Sequence, residues 1–462
     1  MPERSWLGMF LRTAGLRLAV LPLSALLVLT AAGLTMHYAG AAAFGLITLV
    51  SQLRMALPFT DLGMGAAVTR AVAQGRDAGA SARRETALLI RRTVQILTVI
   101  GIAGAVVAVG LGFAGAWSAA FRAPDSLAAD VDAAMTVVLV VFFLSLPIGI
   151  AERVLIGLDR SDLVVIYGLV PALGNVVYVF LAGSAGVAPM WLAMGLPLGS
   201  LVFLLVCWRA AFRQPDAVGL RPGLHPGGLL RAQEGPPVGP LLLGGVPVVL
   251  ATAGMVLAEQ HGRFVLAAAA SPEVLSEYAL GLQLYMPIFS VLYMAATVFW
   301  PRFAAGGDRT LWLRANMVLV GFGLAAAMGY LVFARPVAAI VSRSELELSW
   351  TAVVCFSAAL VAQSAHLTQV NLLTDRSGFW KQAAMNLSVL VLIVPVTLLG
   401  LSLGLGAAAP AASMVLCVLC AQVVPGLLIG HRRTGAHTSS RQESPVTASD
   451  AARHSGKVTN HA

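Results

Sequence analysis

The sequence predicts an all-helical polytopic membrane protein, with about twelve transmembrane helices in two six-helix bundles related by a pseudo-two-fold axis along the membrane normal. Three observations predict it. Hydrophobic residues fill 58% of the 462 positions and charged residues only 11%, whereas soluble domains carry about 25% charged residues, so a water-facing shell could not be covered. Apolar runs of roughly the 20 residues needed to cross a bilayer recur along the chain. Lys and Arg also alternate between segments: with the N-terminus inside, 25 of the 30 fall in cytoplasmic segments, 4 in outer ones, and Arg54 alone lies within a span. Such a bias orients membrane helices. The net charge of +9 is therefore a topology signal, and no nucleic-acid partner is expected.

The first run, 12–36, follows Arg12 and Arg17 as a signal peptide would. It is too long for one and eleven further runs follow, so it is predicted as the first span and not a cleaved segment. Spans 38–58, 88–114, 133–157, 162–183 and 187–208 complete an N-terminal six-helix bundle over 1–211. Its longest outer loop, about 115–132, carries Asp125, Asp130 and Asp132 but is too short for a separate catalytic domain. A cytoplasmic linker over 212–238 holds Pro215, Pro222, Pro226, Pro236 and Pro237. Spans 239–263, 276–300, 312–334, 349–373, 379–401 and 407–430 form a C-terminal bundle over 239–430. The polar tail, 431–462, has too few apolar residues for a core and is expected to be disordered and cytoplasmic.

Both halves begin on the cytoplasmic side, the layout of a parallel repeat. Pro22 matches Pro247, Phe44-Gly45 matches Tyr278-Ala279, and Arg70 with Asp77 matches Arg302 with Asp308. Two lysines against 28 arginines, in an Ala- and Gly-rich chain, suggest a bacterium with GC-rich codons.

Several catalytic patterns fail on context. Gly110-Leu-Gly112-Phe-Ala-Gly115 matches a dinucleotide fingerprint but ends a membrane helix, where the fingerprint needs a strand before it. Gly400-Leu-Ser402-Leu-Gly404 matches a nucleophile elbow without the strand framework that follows one. Small residues for helix packing explain both. Cys417 and Cys420 have metal-like spacing but no second ligand pair. No catalytic residue, metal or cofactor is expected.

Ionisable groups at mid-membrane cost roughly 2.5–3.5 kcal/mol each to insert, so they face a cavity or a partner. Arg54 shares a helical face with Ser51, Pro58 and Asp61; it is either a cationic contact in a cavity or a residue that snorkels or pairs with Asp61. Glu259 and Arg263, at i and i+4, can pair with each other and can equally line a cavity that takes phosphate or sugar. Span ten carries Gln363, Ser364, His366, Thr368, Gln369, Asn371 and Asp375, with Ser364, Thr368, Asn371 and Asp375 on one stripe. That stripe is a hydrophilic cavity wall or an interhelical hydrogen-bonding face. Tyr278, Tyr285, Phe289 and Tyr293 in span eight either stack on sugars or pack.

Over about residues 10–430 the chain resembles the polysaccharide-export flippases (Wzx type) of the multidrug/oligosaccharidyl-lipid/polysaccharide (MOP) superfamily. The resemblance rests on Phe44-Gly45, on Thr60-Asp61-Leu62-Gly63-Met64-Gly65 followed by Arg70, and on Arg263-Phe264-Val265-Leu266, Glu277-Tyr278, Pro301-Arg302-Phe303 and Asp375-Arg376. One position departs: the family often places an acid directly before the Arg of span seven, and here that residue is Gly262, with Glu259 one turn earlier.

The resemblance implies a MATE-like pair of bundles around a partly cationic cavity that flips an undecaprenyl-pyrophosphate-linked oligosaccharide by alternating access. It implies binding residues among Arg54, Asp61, Glu259, Arg263, Gln363, His366, Asn371 and Asp375. Pro22, Pro58, Pro147, Pro171, Pro197, Pro247, Pro287 and Pro395 would supply bends in moving helices. Lipid-linked oligosaccharide, membrane lipid and polysaccharide assembly proteins are the implied partners, and the cytoplasmic (inner) membrane, with both termini cytoplasmic, the implied location. Two alternatives stand beside it. A cation-coupled multidrug exporter on the same fold commonly needs a carboxylate in the first bundle, and span one has no Asp or Glu between Arg12 and His37. A membrane-embedded glycan polymerase or glycosyltransferase needs a sizeable outer loop with paired acids.

Overall fold

In a computed structural model of the chain, the described residues are 3–52, 64–75, 79–220, 238–297, 299, 303, 309–374 and 376–442. Their regular structure is helical throughout. The first half holds α1 (Glu3–Ala39), α2 (Ala41–Gln52), α3 (Met64–Gly75), α4 (Ala80–Phe113), α5 (Asp125–Gly157), α6 (Ser161–Tyr167), α7 (Val170–Ser184) and α8 (Gly195–Arg213). The second holds α9 (Val238–Ala269), α10 (Pro272–Thr297), α11 (Arg309–Ser342), α12 (Trp350–Leu372), α13 (Arg376–Ser402), α14 (Ala409–Val418) and α15 (Val424–Gln442).

Among the described residues, ten helical segments are long and apolar enough to cross a membrane, each on one of the expected spans. The other two expected spans, 38–58 and 239–263, fall on α2, which is described only to Gln52, and on α9, a helix of 32 residues. The exterior is apolar, with Val99 68%, Phe113 90%, Ile340 77% and Val391 71% exposed. A surface of this kind belongs in hydrocarbon. The chain is a multi-pass membrane protein.

Within the first half α5 packs on α3, α4 and α8, and α7 packs on α1 and α8; within the second, α9 packs on α13, and α12 on α10, α11 and α14. Small residues let backbones approach, as they must where lipid supplies no hydrophobic drive between helices. A Cβ on Gly174 of α7 would lie 2.9 Å from the Cα of Gly199 on α8. Span five is broken between α6 and α7, and Pro171 sits in the first turn of α7, where a missing N–H is tolerated. A π-helical turn, Leu419–Val423, joins α14 to α15.

The halves meet most closely where α2 crosses α10, the two segments matched as repeats. Gly45 N donates to Ser276 Oγ at 2.9 Å, and Ser276 Oγ donates to the Ala42 carbonyl at 3.3 Å. Ser276 is fully buried. Arg343 Nη1 donates to Nδ1 of His37 at the end of α1 (2.9 Å), and Phe121 stacks on Phe264 with centroids 6.4 Å apart.

One expectation shifts. The tail is not irregular from 431: α15 runs to Gln442, carried on from the last span, with Thr434 Oγ1 donating to the Gly430 carbonyl and Arg433 to the Leu372 carbonyl. Asp132 of the outer loop is structural, because its carboxylate accepts from the backbone N–H groups of Trp117 and Ser118 and from Ser118 Oγ. The linker is described to Leu220, a 3₁₀ turn over Pro215–Leu220.

Candidate functional site

Between the halves lies a cavity of about 690 Å³. Three helices, α5, α9 and α10, supply most of its polar groups, with Ser24 of α1, Gln52 of α2 and Ser200 of α8. Val256, Glu259, Gln260 and Arg263 line it from α9, and Gln283, Met286, Pro287 and Ser290 from α10, both sets at i, i+3, i+4 and i+7. Opposite them α5 contributes Ser145, Gly149, Glu152 and Arg153, and α2 contributes Gln52. Among the described residues the charges on the wall balance, two carboxylates against two guanidinium groups, so a net cationic lining is not what they provide.

Arg263 is the deepest of these charges, 2% exposed. Of the two readings of Arg263, the pair with Glu259 does not form among the described residues, and the residue lines the cavity. Its Nη1 donates instead to Gln260 Oε1, one turn back. Nε has no partner, and among the described residues the guanidinium makes no ion pair. Glu259, by contrast, is half-buried and open to the cavity. Gln283, 7% exposed, likewise leaves Oε1 without a partner among the described residues.

Gly262 explains why no acid precedes Arg263. A Cβ there would meet the Tyr278 hydroxyl, and Pro410 Cβ at 2.7 Å. That face of α9 is packed shut. The neighbouring His261 is structural glue: Nδ1 bonds the Ala258 carbonyl, and Nε2 reaches Thr397 Oγ1 at 3.1 Å and Ser413 Oγ at 3.3 Å, joining α9 to α13 and α14.

The polar stripe of α12 is turned by one residue from its expected position. Gln363, His366, Leu367 and Val370 face a second, smaller cavity. Ser364 faces α11, where a Cβ on Gly323 would lie 2.5 Å from its Oγ, and it donates to the Leu360 carbonyl. Asn371 Nδ2 bonds back to the Leu367 carbonyl and borders neither cavity. Tyr278 and Tyr285 pack on Phe356 instead of presenting their faces to a cargo, whereas Phe289 and Tyr293 border the smaller cavity. Arg54, Asp61 and Asp375 lie outside the described residues.

Glu152, Arg153, Gln260 and Gln283 are cavity residues that the motif reading passed over. Arg153 was absorbed into the cytoplasmic Lys and Arg tally, and Glu152 beside it was not singled out. Gln283 was hidden among the tyrosines of its helix, though its spacing to Met286, Pro287 and Ser290 carried the signal.

A protein family described as polysaccharide biosynthesis protein matches residues 25–306. No curated protein matches the sequence. Among solved structures, the inward-facing conformation of a multidrug resistance MATE family transporter of the MOP superfamily aligns with a TM-score of 0.69 at 16% identity, over 92% of this chain and 99% of that one. The outward-facing conformation of such a transporter gives 0.61 at 16%, over 92% and 96%. Lipid II flippase MurJ, in an inward closed conformation, gives 0.59 at 12%, over 92% of each chain. At such identities the likeness is one of fold.

Proposed function

This chain belongs to the polysaccharide biosynthesis protein family and carries the MOP-superfamily transporter fold, and from that premise we propose that it flips an undecaprenyl-pyrophosphate-linked oligosaccharide or polysaccharide precursor across the bacterial cytoplasmic membrane. The two halves, 1–211 and 239–430, rock about the α2–α10 contact to expose the central cavity to either side in turn, with both termini cytoplasmic. The chain transports and does no chemistry on its cargo. Membrane lipid and the polysaccharide assembly machinery are its partners.

One observation supports this reading above the rest. Arg263 is a buried guanidinium on the cavity wall with an unpartnered Nε and no ion pair among the described residues. Holding a charge so is expensive, and a phosphate or acidic sugar would complete it with charge-assisted hydrogen bonds. Gln283 and Gln260 beside it suit hydroxyls. Arg54 and Asp61 are assigned to the same cavity on the resemblance alone.

The test is surface polysaccharide in cells carrying Arg263→Ala or Arg54→Ala. Both are expected to abolish it at unchanged protein levels, and full output from both would overturn the anion-binding cavity. The carboxylates of Glu152 and Glu259 favour a second reading, a cation-coupled exporter of amphiphilic compounds; Glu259→Gln would then remove drug resistance while leaving polysaccharide intact.

A further inference from the structure

Leu21, Ser24, Glu259, Met286 and Ser290 border the central cavity and also the second cavity, of about 500 Å³. The two spaces share a wall. Beyond it their chemistry differs. The central cavity is lined by Glu152, Arg153, Gln260, Arg263 and Gln283. The far side of the second is Met255, Phe289, Ile393, Met414 and Val418. Tyr293, Gln363, His366 and Gln422 also border it, the ring nitrogens of His366 and Oε1 of Gln422 buried without a partner among the described residues, so four polar side chains stand in an otherwise apolar lining beyond the shared wall.

The volume lies in the range of ligand cavities, about 300–1,000 Å³. Four of its lining residues are methionines, unbranched and polarisable side chains that adapt to a flexible apolar guest. Val20, Leu21 and Ser24 of α1, with Val165 of α6 and Gly168 just beyond it, supply first-half wall, while α9, α10, α12, α13, α14 and the π-helical turn supply the rest. The space therefore lies on the seam between the halves.

We propose that the second cavity binds the first isoprenoid segment of the cargo's hydrocarbon anchor while the anionic group joined to it occupies the central cavity; this rests on the assignment of the central cavity to a lipid-linked cargo. A head group near Arg263 draws the first carbons of its anchor out of the bilayer. Against charged walls each methylene would lower occupancy about fourfold. An apolar space across a shared wall removes that loss, since hydrocarbon there meets surroundings as apolar as the lipid it left. Glu259, Ser24 and Ser290 mark the junction of head and tail.

The experiment uses the full chain in nanodiscs with farnesyl pyrophosphate bearing a photoreactive group at its chain end. Adducts are expected on Met255, Phe289 or Met414, displaced by unlabelled farnesyl pyrophosphate. They should fall about tenfold in Met414→Trp, which fills the space, and in Met255→Gln, which makes it polar at similar volume and guards against a folding defect in the first variant. Adducts confined to lipid-facing Val99 and Met328 would overturn the proposal. So would equal labelling of the same three residues by a photoreactive phosphatidylglycerol that farnesyl pyrophosphate does not displace, the signature of ordinary bilayer lipid. Inorganic pyrophosphate and Arg263→Ala separate the two readings. Chamber adducts unaffected by either would sustain the apolar site and overturn the anion site; protection by pyrophosphate without chamber adducts would do the reverse.

Discussion

Where α2 crosses α10, the polar groups at the contact are answered within the protein: Gly45 N by Ser276 Oγ, and that hydroxyl in turn by the Ala42 carbonyl. In the cavity between the same two halves, Arg263 Nε and Gln283 Oε1 are buried and answered by nothing among the described residues. The crossing is sealed with small residues and neutral bonds. The cavity is built from long polar side chains held with capacity to spare. In an environment that offers no competing water, a complete set of bonds makes a joint and an incomplete one makes a binding surface.

The contrast can be broken most forcefully at Gly45. A Cβ there would sit 2.7 Å from both Leu275 Cγ and Ser276 N, so Gly45→Val is expected to pry the joint open and lower polysaccharide output more than tenfold. Disulfide cross-linking between cysteines placed at positions 42 and 276 reads the same event directly, and should drop with it. A smaller effect is expected from Gln260→Leu, which removes the acceptor that Arg263 has among the described residues. Leaving a buried charged donor unanswered costs about 1–3 kcal/mol, so cargo flux should change by about tenfold with the joint intact by cross-linking. Flux equal to wild type would mean that Gln260 does not hold the guanidinium in its working position. Smallest is Ser276→Ala. Hydrogen bonds inside membranes average about 0.6 kcal/mol, which predicts a roughly threefold loss of the closed joint and little change in output. A loss as large as that of Gly45→Val would show that bonding, not close packing, makes the joint.

Helix positions were legible because each span must be apolar for about 20 residues whatever its neighbours are, and ten described segments fall on the spans so read. Rotation about the helix axis was not. On α12 nearly every residue from Gln363 to Asn371 is buried, so composition could not say which face met a partner. Gly323 decides it by admitting Ser364, and it lies on another helix. Arg263 was visible as a charge within an apolar run, but whether it paired or faced a cavity stayed open, since Gln260 and Glu259 are both within reach one turn back. The role of Gly262 depends on Tyr278 and Pro410, contacts that no local pattern encodes. Arg153 was counted as cytoplasmic charge because it stands near a span's end, and Glu152 was passed over with it, although the helix holding them turns both toward the cavity.

The π-helical turn at Leu419–Val423 gives the last span one residue more than a regular helix would use there. An insertion of this kind resets rotational phase by about 100° for everything downstream. Gln422, within the turn, is thereby brought to the second cavity and donates to Asn386 Oδ1, while Arg433, three turns on, arrives at the Leu372 carbonyl. The turn works as a phase register: deleting the residue it adds, as in removal of exposed Cys420, is expected to give an unbroken α-helix in which Arg433 still arrives at the Leu372 carbonyl, whereas the same deletion beyond the turn would shift every later contact by about 100°.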